Sequence, residues 1–347
     1  MLKVALGQSK MLSKPISGVL HLIVYMGFII INIELLEIIL DGLLGTHRLF
    51  APYLGSFYNF LIGSFEILAA FVIFSVIFFW TRRNLIKIRR FWSPEMSGWP
   101  KRDADIILYF EIILMSLFLS MNSTDLLLQN LESPNYLKAG SFPISQFLTP
   151  LFNSFTQDTL IIFERTFWWL HITGILIFLN YLYYSKHLHI LLAFPNTFFA
   201  NLDPKGKFNN NKLVYREVKQ ILEPNSDPYL TNENNPDQSK FGVSDVLDLN
   251  WIQLMNSYSC TECGRCTAEC PANQTGKLLS PRKIMMDTRD RLEEVGRNIS
   301  LNGSFKDDGN ELLDNYITKE EIWACTSCNA CVEACPIGID PLSIIME

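Results

Sequence analysis

Four apolar stretches constrain the fold of this chain more than any other feature, because each is long enough to cross a bilayer as a helix of about 20 residues. They span residues 16–44, 54–80, 104–122 and 166–194, and Pro195 ends the last one. Hydrophobic residues make up 49% of the 347 residues and charged residues only 18%, which excludes two ordinary soluble domains. The net charge of −6 excludes a nucleic-acid binder that relies on bulk positive charge.

The distribution of Lys and Arg predicts how the chain is oriented in the membrane. Residues 81–103, between the second and third stretches, carry seven of these cations. Residues 123–164 carry four acidic side chains and only one cation, Lys138. Because cytoplasmic loops are enriched in Lys and Arg, we expect a multi-pass protein of the bacterial cytoplasmic membrane, with its N-terminus and its C-terminal part in the cytoplasm.

The C-terminal part is polar and acidic. Residues 1–194 carry a formal charge of +2 and residues 195–347 carry −8. Residues 201–250 are rich in Asn, Asp and Pro, which is typical of a linker, and a short helix is expected near residues 213–222. The sequence therefore predicts three parts: a transmembrane domain (1–194), a linker (195–250) and a cytoplasmic domain (251–347).

The cytoplasmic domain is expected to be helical. Ser280 followed by Pro281 is typical of a helix start, and the helix should extend over residues 282–295. A second helix is expected over residues 310–323. No strand pattern of any length is present, so the predicted fold class is all-α throughout.

All eight cysteines fall in two quartets with the same spacing, C-x2-C-x2-C-x3-C-P. The quartets are Cys260, Cys263, Cys266 and Cys270, and Cys325, Cys328, Cys331 and Cys335. This spacing is typical of [4Fe–4S] clusters. Zinc sites use pairs of cysteines rather than quartets that end in Cys-Pro, and disulfides are disfavoured in the cytoplasm.

In two-cluster ferredoxins the fourth cysteine of each run ligates the other cluster. We therefore predict crossed ligation. One cluster is held by Cys260, Cys263, Cys266 and Cys335, and the other by Cys325, Cys328, Cys331 and Cys270.

Several stretches resemble known families. The run C-P-A-N-Q-T-G-K-L-L-S-P-R-K-I, residues 270–284, is similar to the dicluster domain of succinate dehydrogenase iron–sulfur subunits and of heterodisulfide-reductase C-type proteins. The segments V-A-L-G-Q-S-K (4–10), G-V-L-H-L-I-V-Y-M-G-F (18–28), W-W-L-H (168–171) and S-K-H-L-H-I-L (185–191) resemble membrane-bound, heterodisulfide-reductase-related Fe–S oxidoreductases. This group includes electron-transfer-flavoprotein:menaquinone oxidoreductases, and its membrane part is similar to the nitrate reductase gamma subunit.

The resemblance implies a haem b membrane domain fused to a ferredoxin domain with two [4Fe–4S] clusters. It implies menaquinone as substrate and, as cytoplasmic redox partner, a heterodisulfide-reductase B-like subunit with CCG motifs or an electron-transfer flavoprotein. The group usually has five membrane helices and continues beyond the second cysteine quartet. We therefore expect a further helix upstream and a longer protein of which this sequence is a piece.

All five histidines lie in or beside the apolar stretches: His21, His47, His171, His187 and His189. His171 and His189 are 18 residues apart, so one unbroken helix would place them on the same face, about 27 Å apart. Imidazole pairs are suitable axial ligands of haem b. We predict one haem between His21 and His189 and one between His47 and His171, with His187 as the alternative to His189. The alternative is that these histidines only pack within the bundle.

Three carboxylates form a stripe on the first apolar stretch, because Glu34, Glu37 and Asp41 are spaced i, i+3 and i+7. Carboxylates inside a membrane are costly and usually functional. The stripe predicts a proton path for quinone chemistry, and the alternative is that these side chains hydrogen-bond to neighbouring helices.

The function that the sequence favours is a respiratory oxidoreductase subunit that needs a partner chain. Electrons would pass between a cytoplasmic redox partner and the quinone pool through two [4Fe–4S] clusters and haem b. The alternatives are a haem-free Fe–S membrane anchor subunit and a redox-coupling component of a larger membrane complex.

Overall fold

The computed structural model describes residues 1–204, 206–207, 214–215, 218–219, 222 and 242–347. Within these residues no β-strand forms, and the only β-bridge joins Leu313 and Ile317. The predicted all-α class is confirmed. The chain divides into two compact units, a helix bundle (Met11–His187) and a C-terminal unit that combines Leu188–Glu347 with Met1–Lys10.

Four helices of the bundle are long and apolar enough to cross a membrane, as the sequence predicts. α1 begins with Pro15 in its first turn, and at its end Gly45 adopts a left-handed φ of 68°. α1 packs on α3, α3 on α4, and α4 on α5. The helices are α1 (Pro15–Leu44), the short α2 (Ala51–Leu54), α3 (Ser56–Asn84), α4 (Trp99–Asn130) and α5 (Gln157–Tyr181).

A glycine allows α1 and α3 to pack closely. A Cβ atom on Gly27 would lie 2.6 Å from Cγ2 of Val72, which is too close for any side chain. Small residues at such crossings let membrane helices gain dispersion energy from close contact. The interior that results is apolar, with Ala69 and Phe118 fully buried, whereas side chains such as Leu36 on the outer face of α1 are exposed, as lipid contact requires.

The prediction of one continuous helix over residues 166–194 is wrong. α5 ends at Tyr181, and Ser185 is extended, with φ −117° and ψ 149°. A new helix, α6 (His189–Phe198), then begins. Pro195 lies inside α6 and does not end a helix.

The break after α5 has its cause in a tertiary contact with the carboxylate of Asp103 on α4. It accepts hydrogen bonds from the hydroxyl of Tyr181 at 2.5 Å and from Oγ of Ser185 at 2.7 Å. It also accepts one from the backbone N–H of Lys186 at 3.0 Å. A side-chain acceptor thus satisfies a backbone donor that a continuous helix would pair with its own carbonyls.

The C-terminal unit is built from short helices around one long one. Ser280 caps the long helix by accepting from the N–H of Lys283, and Pro281 stands in its first turn, as predicted. Its buried side includes Ile284 and Met285, which belong to the core of the unit. After α6, the helices are α7 (Trp251–Ser259), α8 (Arg265–Ala268), α9 (Pro271–Gln274), α10 (Pro281–Asn302), α11 (Lys319–Trp323), α12 (Ala330–Ala334) and α13 (Pro341–Ile345).

The second predicted helix of this unit, over residues 310–323, is interrupted. Asp314 adopts a left-handed φ of 75°, and only α11 is helical beyond it. The N–H of Leu313 donates to the carbonyl of Ser244 at 2.9 Å, so a tertiary hydrogen bond replaces a helical one. The predicted helix at residues 213–222 lies outside the continuously described residues.

Candidate redox centres

The two cysteine quartets form loops with the same backbone path. Glu262 and Ser327 stand one residue before the second cysteine of each quartet, with φ angles of 56° and 54°. Gly264 and Asn329 stand one residue after it, with φ angles of 71° and 59°. Left-handed residues at these positions turn each loop tightly around its first three cysteines. The repeated spacing in the sequence is therefore a repeated conformation.

Backbone N–H groups point at sulfur atoms in both loops. The N–H of Glu262 donates to Sγ of Cys260 at 3.4 Å. The N–H of Ser327 donates to Sγ of Cys325, also at 3.4 Å. Hydrogen bonds to cysteine sulfur help to set the reduction potential of an iron–sulfur cluster, so both loops carry the donors that a cluster site uses.

A cavity of about 400 Å³ in the C-terminal unit is lined by three cysteines of the first quartet and one of the second: Cys260, Cys263, Cys266 and Cys335. Within the part of the chain that the structure describes, no three His, Cys, Asp or Glu side chains converge closely enough to hold a single metal ion. Thiols spread around a cavity suit a cluster, which holds its ligands apart. The residues present therefore fit a [4Fe–4S] cluster better than a zinc ion.

Cys270 lies beside the cysteines of the second quartet. Burial raises the pKa of the Cys331 thiol to about 12, and the nearby Asp340, Cys325 and Cys270 act in the same direction. Burial also raises the pKa of Cys325, and Cys270 adds to that effect. The structure thus groups Cys270 with the second quartet and Cys335 with the first, which is the grouping that crossed ligation requires. The ligation itself stays a prediction.

Residues 259–339 match the 4Fe-4S dicluster domain family. This match and the cysteine spacing support two [4Fe–4S] clusters in the C-terminal unit. The matched range contains all eight cysteines and ends two residues before α13.

Curated relatives extend the similarity over nearly the whole chain. The probable iron-sulfur-binding oxidoreductase FadF of Bacillus subtilis is 27% identical over 98% of this chain and 48% of its own length. The EtfAB:quinone oxidoreductase of Syntrophomonas wolfei is 26% identical over 98% of this chain and 46% of its own length. The chain thus spans about half the length of these relatives.

A shorter similarity covers the cysteine-rich part. The C-type protein of the ferredoxin/F(420)H(2)-dependent CoB-CoM heterodisulfide reductase of Methanosarcina acetivorans is 31% identical over 30% of this chain and 50% of its own length. No solved structure is significantly similar to the chain.

The helix bundle contains a cavity of about 830 Å³ whose walls come from α1, α3, α4 and α5. The walls are mostly apolar, with Glu34, Glu111 and His171 among the few polar side chains. Oε2 of Glu34 is buried and has no hydrogen-bond partner among the described residues. A buried carboxyl group that lacks a partner is unfavourable, so its place in this cavity points to function. Glu111 is absent from the sequence-based candidates, although its position in an apolar helix is the signal that could have found it.

His171 is the only predicted haem ligand that lines this cavity. Its side chain is 3% exposed, and its Nδ1 lies 3.0 Å from the carbonyl oxygen of Leu114. A carbonyl can only accept, so Nδ1 carries the proton and Nε2 keeps the lone pair that binds a metal. His171 therefore has a buried imidazole, fixed by one hydrogen bond, whose Nε2 would be available to hold a haem iron.

His47 lies in a different polar cluster, centred on the loop residue Arg48. Nε2 of His47 lies 3.3 Å from Oδ1 of Asp125, and Nη2 of Arg48 donates to Oδ2 of Asp125 at 2.6 Å. Arg48 also donates to Asn122 at 3.0 Å and to the hydroxyl of Tyr58 at 3.1 Å. His47 and His171 line different cavities, so the structure does not bring together this predicted pair. Of this cluster only His47 is a sequence-based candidate, and Arg48, Asp125, Asn122 and Tyr58 are not.

The remaining histidines are distributed over several elements. α5 ends at Tyr181, so His171 and His189 do not share a helix, and the prediction that they lie on one helix face is wrong. His21 lies in α1, and His189 is the first residue of α6. The ring of His187 packs against Phe178, with 5.3 Å between centroids. Their roles as haem ligands stay predictions.

The predicted carboxylate stripe divides into two kinds of site. Glu37 accepts hydrogen bonds from the N–H of Phe50 and from the hydroxyl of Tyr58, both at 2.8 Å. Asp41 accepts from the N–H of Arg48 at 2.8 Å and from two further groups of the same loop. Both carboxylates hold the loop after α1, which agrees with the packing alternative. Within the stripe, only Glu34 reaches the large cavity as well.

Proposed function

We propose that this chain is an electron-transfer subunit of a membrane-bound oxidoreductase in the bacterial cytoplasmic membrane. Electrons pass between a cytoplasmic redox partner and the menaquinone pool through two [4Fe–4S] clusters and haem b. The observation that carries this proposal is the cavity that Cys335 shares with three cysteines of the first quartet, on a chain that also has four membrane-length helices. A cluster pair on a membrane-spanning chain suits the transfer of electrons to a lipid-soluble carrier.

The clusters would be held in crossed ligation and would accept and release single electrons. The loop backbone contributes by holding N–H donors on the sulfur atoms, as Glu262 and Ser327 do. The buried positions of Cys260 and Cys335 keep water from two of the ligands of the first cluster.

In the bundle, His171 would hold haem b through Nε2, and its bond to the Leu114 carbonyl would fix the tautomer and the ring orientation. Haem b would supply a one-electron carrier inside the membrane. His47 lines a different cavity, so among the histidines His171 is the one that would hold haem b in the large cavity. His21, His189 and His187 stay the sequence-based candidates for holding a second haem.

Quinone reduction takes up two electrons and two protons, so a path for protons must reach the quinone. Glu34 and Glu111 are the carboxyl groups that line the bundle cavity. Glu34 also lines the smaller cavity that contains Asp41 and His47, and it is therefore common to both. We propose that it relays protons between them.

The partner would be a heterodisulfide-reductase B-like subunit or an electron-transfer flavoprotein. Support comes from the similarity to the EtfAB:quinone oxidoreductase and to the C-type protein of heterodisulfide reductase. The acidic C-terminal part would attract a basic docking surface, so association should slow as salt increases.

The deciding experiment is a reduced-minus-oxidised optical spectrum and an EPR spectrum of the purified full chain. The proposed function requires a b-type haem band and two interacting [4Fe–4S] signals. His171→Ala should remove the haem band and leave the clusters intact, whereas Asn180→Ala, a change at an exposed position of the same helix, should retain both. Intact clusters in a wild-type protein without haem would favour the membrane-anchor alternative instead.

A further inference from the structure

The two cluster sites differ in the charge around them. Arg265 and Arg282 are among the residues that line the cavity that Cys335 shares with the first quartet, and no Asp or Glu is among the described residues that line it. The nearby carboxylate of Glu262 is paired with Arg289 at 2.6 Å. At the position equivalent to Arg265, the second quartet carries Ala330. The loop conformation is thus repeated, but its positive charge is not.

Both arginines are buried and held in place. Arg265 is 7% exposed and Arg282 only 1%. Nη1 of Arg265 donates to the carbonyl of Lys10 at 3.4 Å, and Nη1 of Arg282 donates to the carbonyl of Glu262 at 3.5 Å. The N–H of Arg282 also donates to Oγ1 of Thr267 at 3.2 Å, which ties the start of α10 to the first quartet. These contacts fix both cations beside the cavity.

The surroundings of the second quartet differ in exposure. Each predicted site has two buried cysteines, but Cys328 of the second site is exposed, whereas Cys263 and Cys266 of the first are only partly exposed. The second site is therefore the more accessible one.

These differences act on the reduction potential, because reduction adds a negative charge to a cluster. Net charge, hydrogen bonds to sulfur and solvent exposure set the potential of Fe–S clusters. Burial alone would disfavour the extra electron on the first cluster. A guanidinium group favours it, and does so more strongly in the interior than in water, since the interior screens charge less.

We propose that Arg265 and Arg282 raise the reduction potential of the first cluster above that of the second. Electrons then enter at the second cluster, which has the exposed ligand Cys328, and collect on the first cluster. In this step the second cluster is oxidised by one electron and the first is reduced by one, with no bond made or broken. The inference rests on the proposed function, because it needs both clusters in place.

The test is an EPR-monitored redox titration of both clusters in the full-length chain in detergent. The second-cluster signal is assigned with Cys328→Ser, which should alter that signal alone. In the wild type, the first cluster should titrate at the higher potential. Arg265→Gln and Arg282→Gln should each lower the reduction potential of the first cluster by at least about 59 mV. For one electron, this is about a tenfold change in the equilibrium between the two clusters, in favour of the second.

Matched variants separate charge from structure. Arg265→Lys should keep the wild-type potential, and Arg297→Gln, at an exposed site of the same helix as Arg282, should shift neither cluster. Ala330→Arg places the cation at the equivalent point of the second quartet and should raise the potential of the second cluster only. If a Gln variant loses its cluster, Ala330→Arg still tests whether a cation at this position of the loop raises the reduction potential.

The outcomes distinguish this inference from the proposed function. Absence of both cluster signals from the wild type would overturn the proposed function. Two clusters whose potentials are equal or in the reverse order, or are unmoved by both the Gln variants and Ala330→Arg, would overturn the inference and leave the proposed function standing.

Discussion

The helix bundle and the C-terminal unit both bury charged side chains, but they differ in how these charges are compensated. In the C-terminal unit the side chain of Arg291 is fully buried and pairs with Asp245 at 2.9 Å. In the bundle Arg48 pairs with Asp125 at 2.6 Å, whereas Glu34 retains a buried oxygen that no described residue hydrogen-bonds. An unpaired buried group is unfavourable for folding, and in lipid no water can compensate it.

The comparison separates structural charges from functional candidates. Arg291 fastens the segment around Asp245 to α10, and Arg48 fastens the loop after α1 to α4. The charged residues that line cavities are different ones: Glu34 in the bundle, and Arg265 in the C-terminal unit. In both regions, a position beside a cavity is a better guide to function than burial alone.

The largest expected effect is the loss of a cluster when the fourth cysteine of a quartet is replaced. The two such variants test whether the cysteines of the C-terminal unit form two cluster sites. Cys335→Ser should remove or convert the cluster of the first quartet, because Cys335 lines that cavity. Cys270→Ser should instead affect the cluster of the second quartet. EPR spectra and iron content of the purified variants measure both outcomes.

The two variants serve as controls for each other, since each replaces a buried cysteine that precedes a proline. Selective loss of the first-quartet signal in Cys270→Ser would contradict crossed ligation. Equal loss of both signals in both variants would indicate that the C-terminal unit unfolds. Circular dichroism of its helices would then be measured to check this.

The cluster sites could be predicted from the sequence because their ligands are local. Three cysteines of each site lie within seven residues, and the left-handed turns between them depend on nearby residues such as Gly264 and Asn329. The cap of α10 at Ser280 is equally local. What could not be predicted is which charged residues line the cavity, because Arg282 belongs to a helix that starts beyond the first quartet.

The bundle was less predictable because its polar contacts join residues far apart in the chain. Its apolar helices, by contrast, follow from composition alone. Asp103 interrupts the helix after Tyr181 from 78 positions away, and Arg48 reaches Asp125 from 77 positions away. Helical periodicity carries no signal for either contact, so the predicted five-turn relation between His171 and His189 failed.

A second prediction tests the ion pair that fastens the bundle loop. Asp125→Ala leaves Arg48 buried without its carboxylate, and removal of one partner of a buried pair costs about 3–5 kcal/mol. We expect a clear loss of thermal stability in detergent. Asp158→Ala is the control, since Asp158 is exposed and should cost less than about 1 kcal/mol. Equal stability of the two variants would mean that Arg48 is compensated by Asn122 and Tyr58 alone.

A third prediction tests the close packing of α1 on α3. Gly27→Val adds a side chain where Cγ2 of Val72 already lies 2.6 Å from the Cβ position. Overpacking of this kind costs about 1–3 kcal/mol, and it should also narrow the cavity, which Gly27 and Val72 both line. Ile33→Val, on the exposed face of the same helix, should leave thermal stability unchanged. A fully stable Gly27→Val protein would show that α1 can move away from α3.

The smallest effect on stability, and the sharpest test of the comparison, comes from two glutamates one turn apart. Glu37→Gln weakens the bonds from Phe50 and Tyr58 to a charged acceptor, so we expect a loss of about 1 kcal/mol. Glu34→Gln replaces a carboxyl whose Oε2 has no described partner, so stability should stay the same or increase. Quinone reductase activity should fall more in Glu34→Gln than in Glu37→Gln, because an amide at position 34 cannot pass a proton on. Full activity in Glu34→Gln together with normal quinol formation would remove the proton-relay role and leave Glu34 as a packing residue beside an apolar cavity.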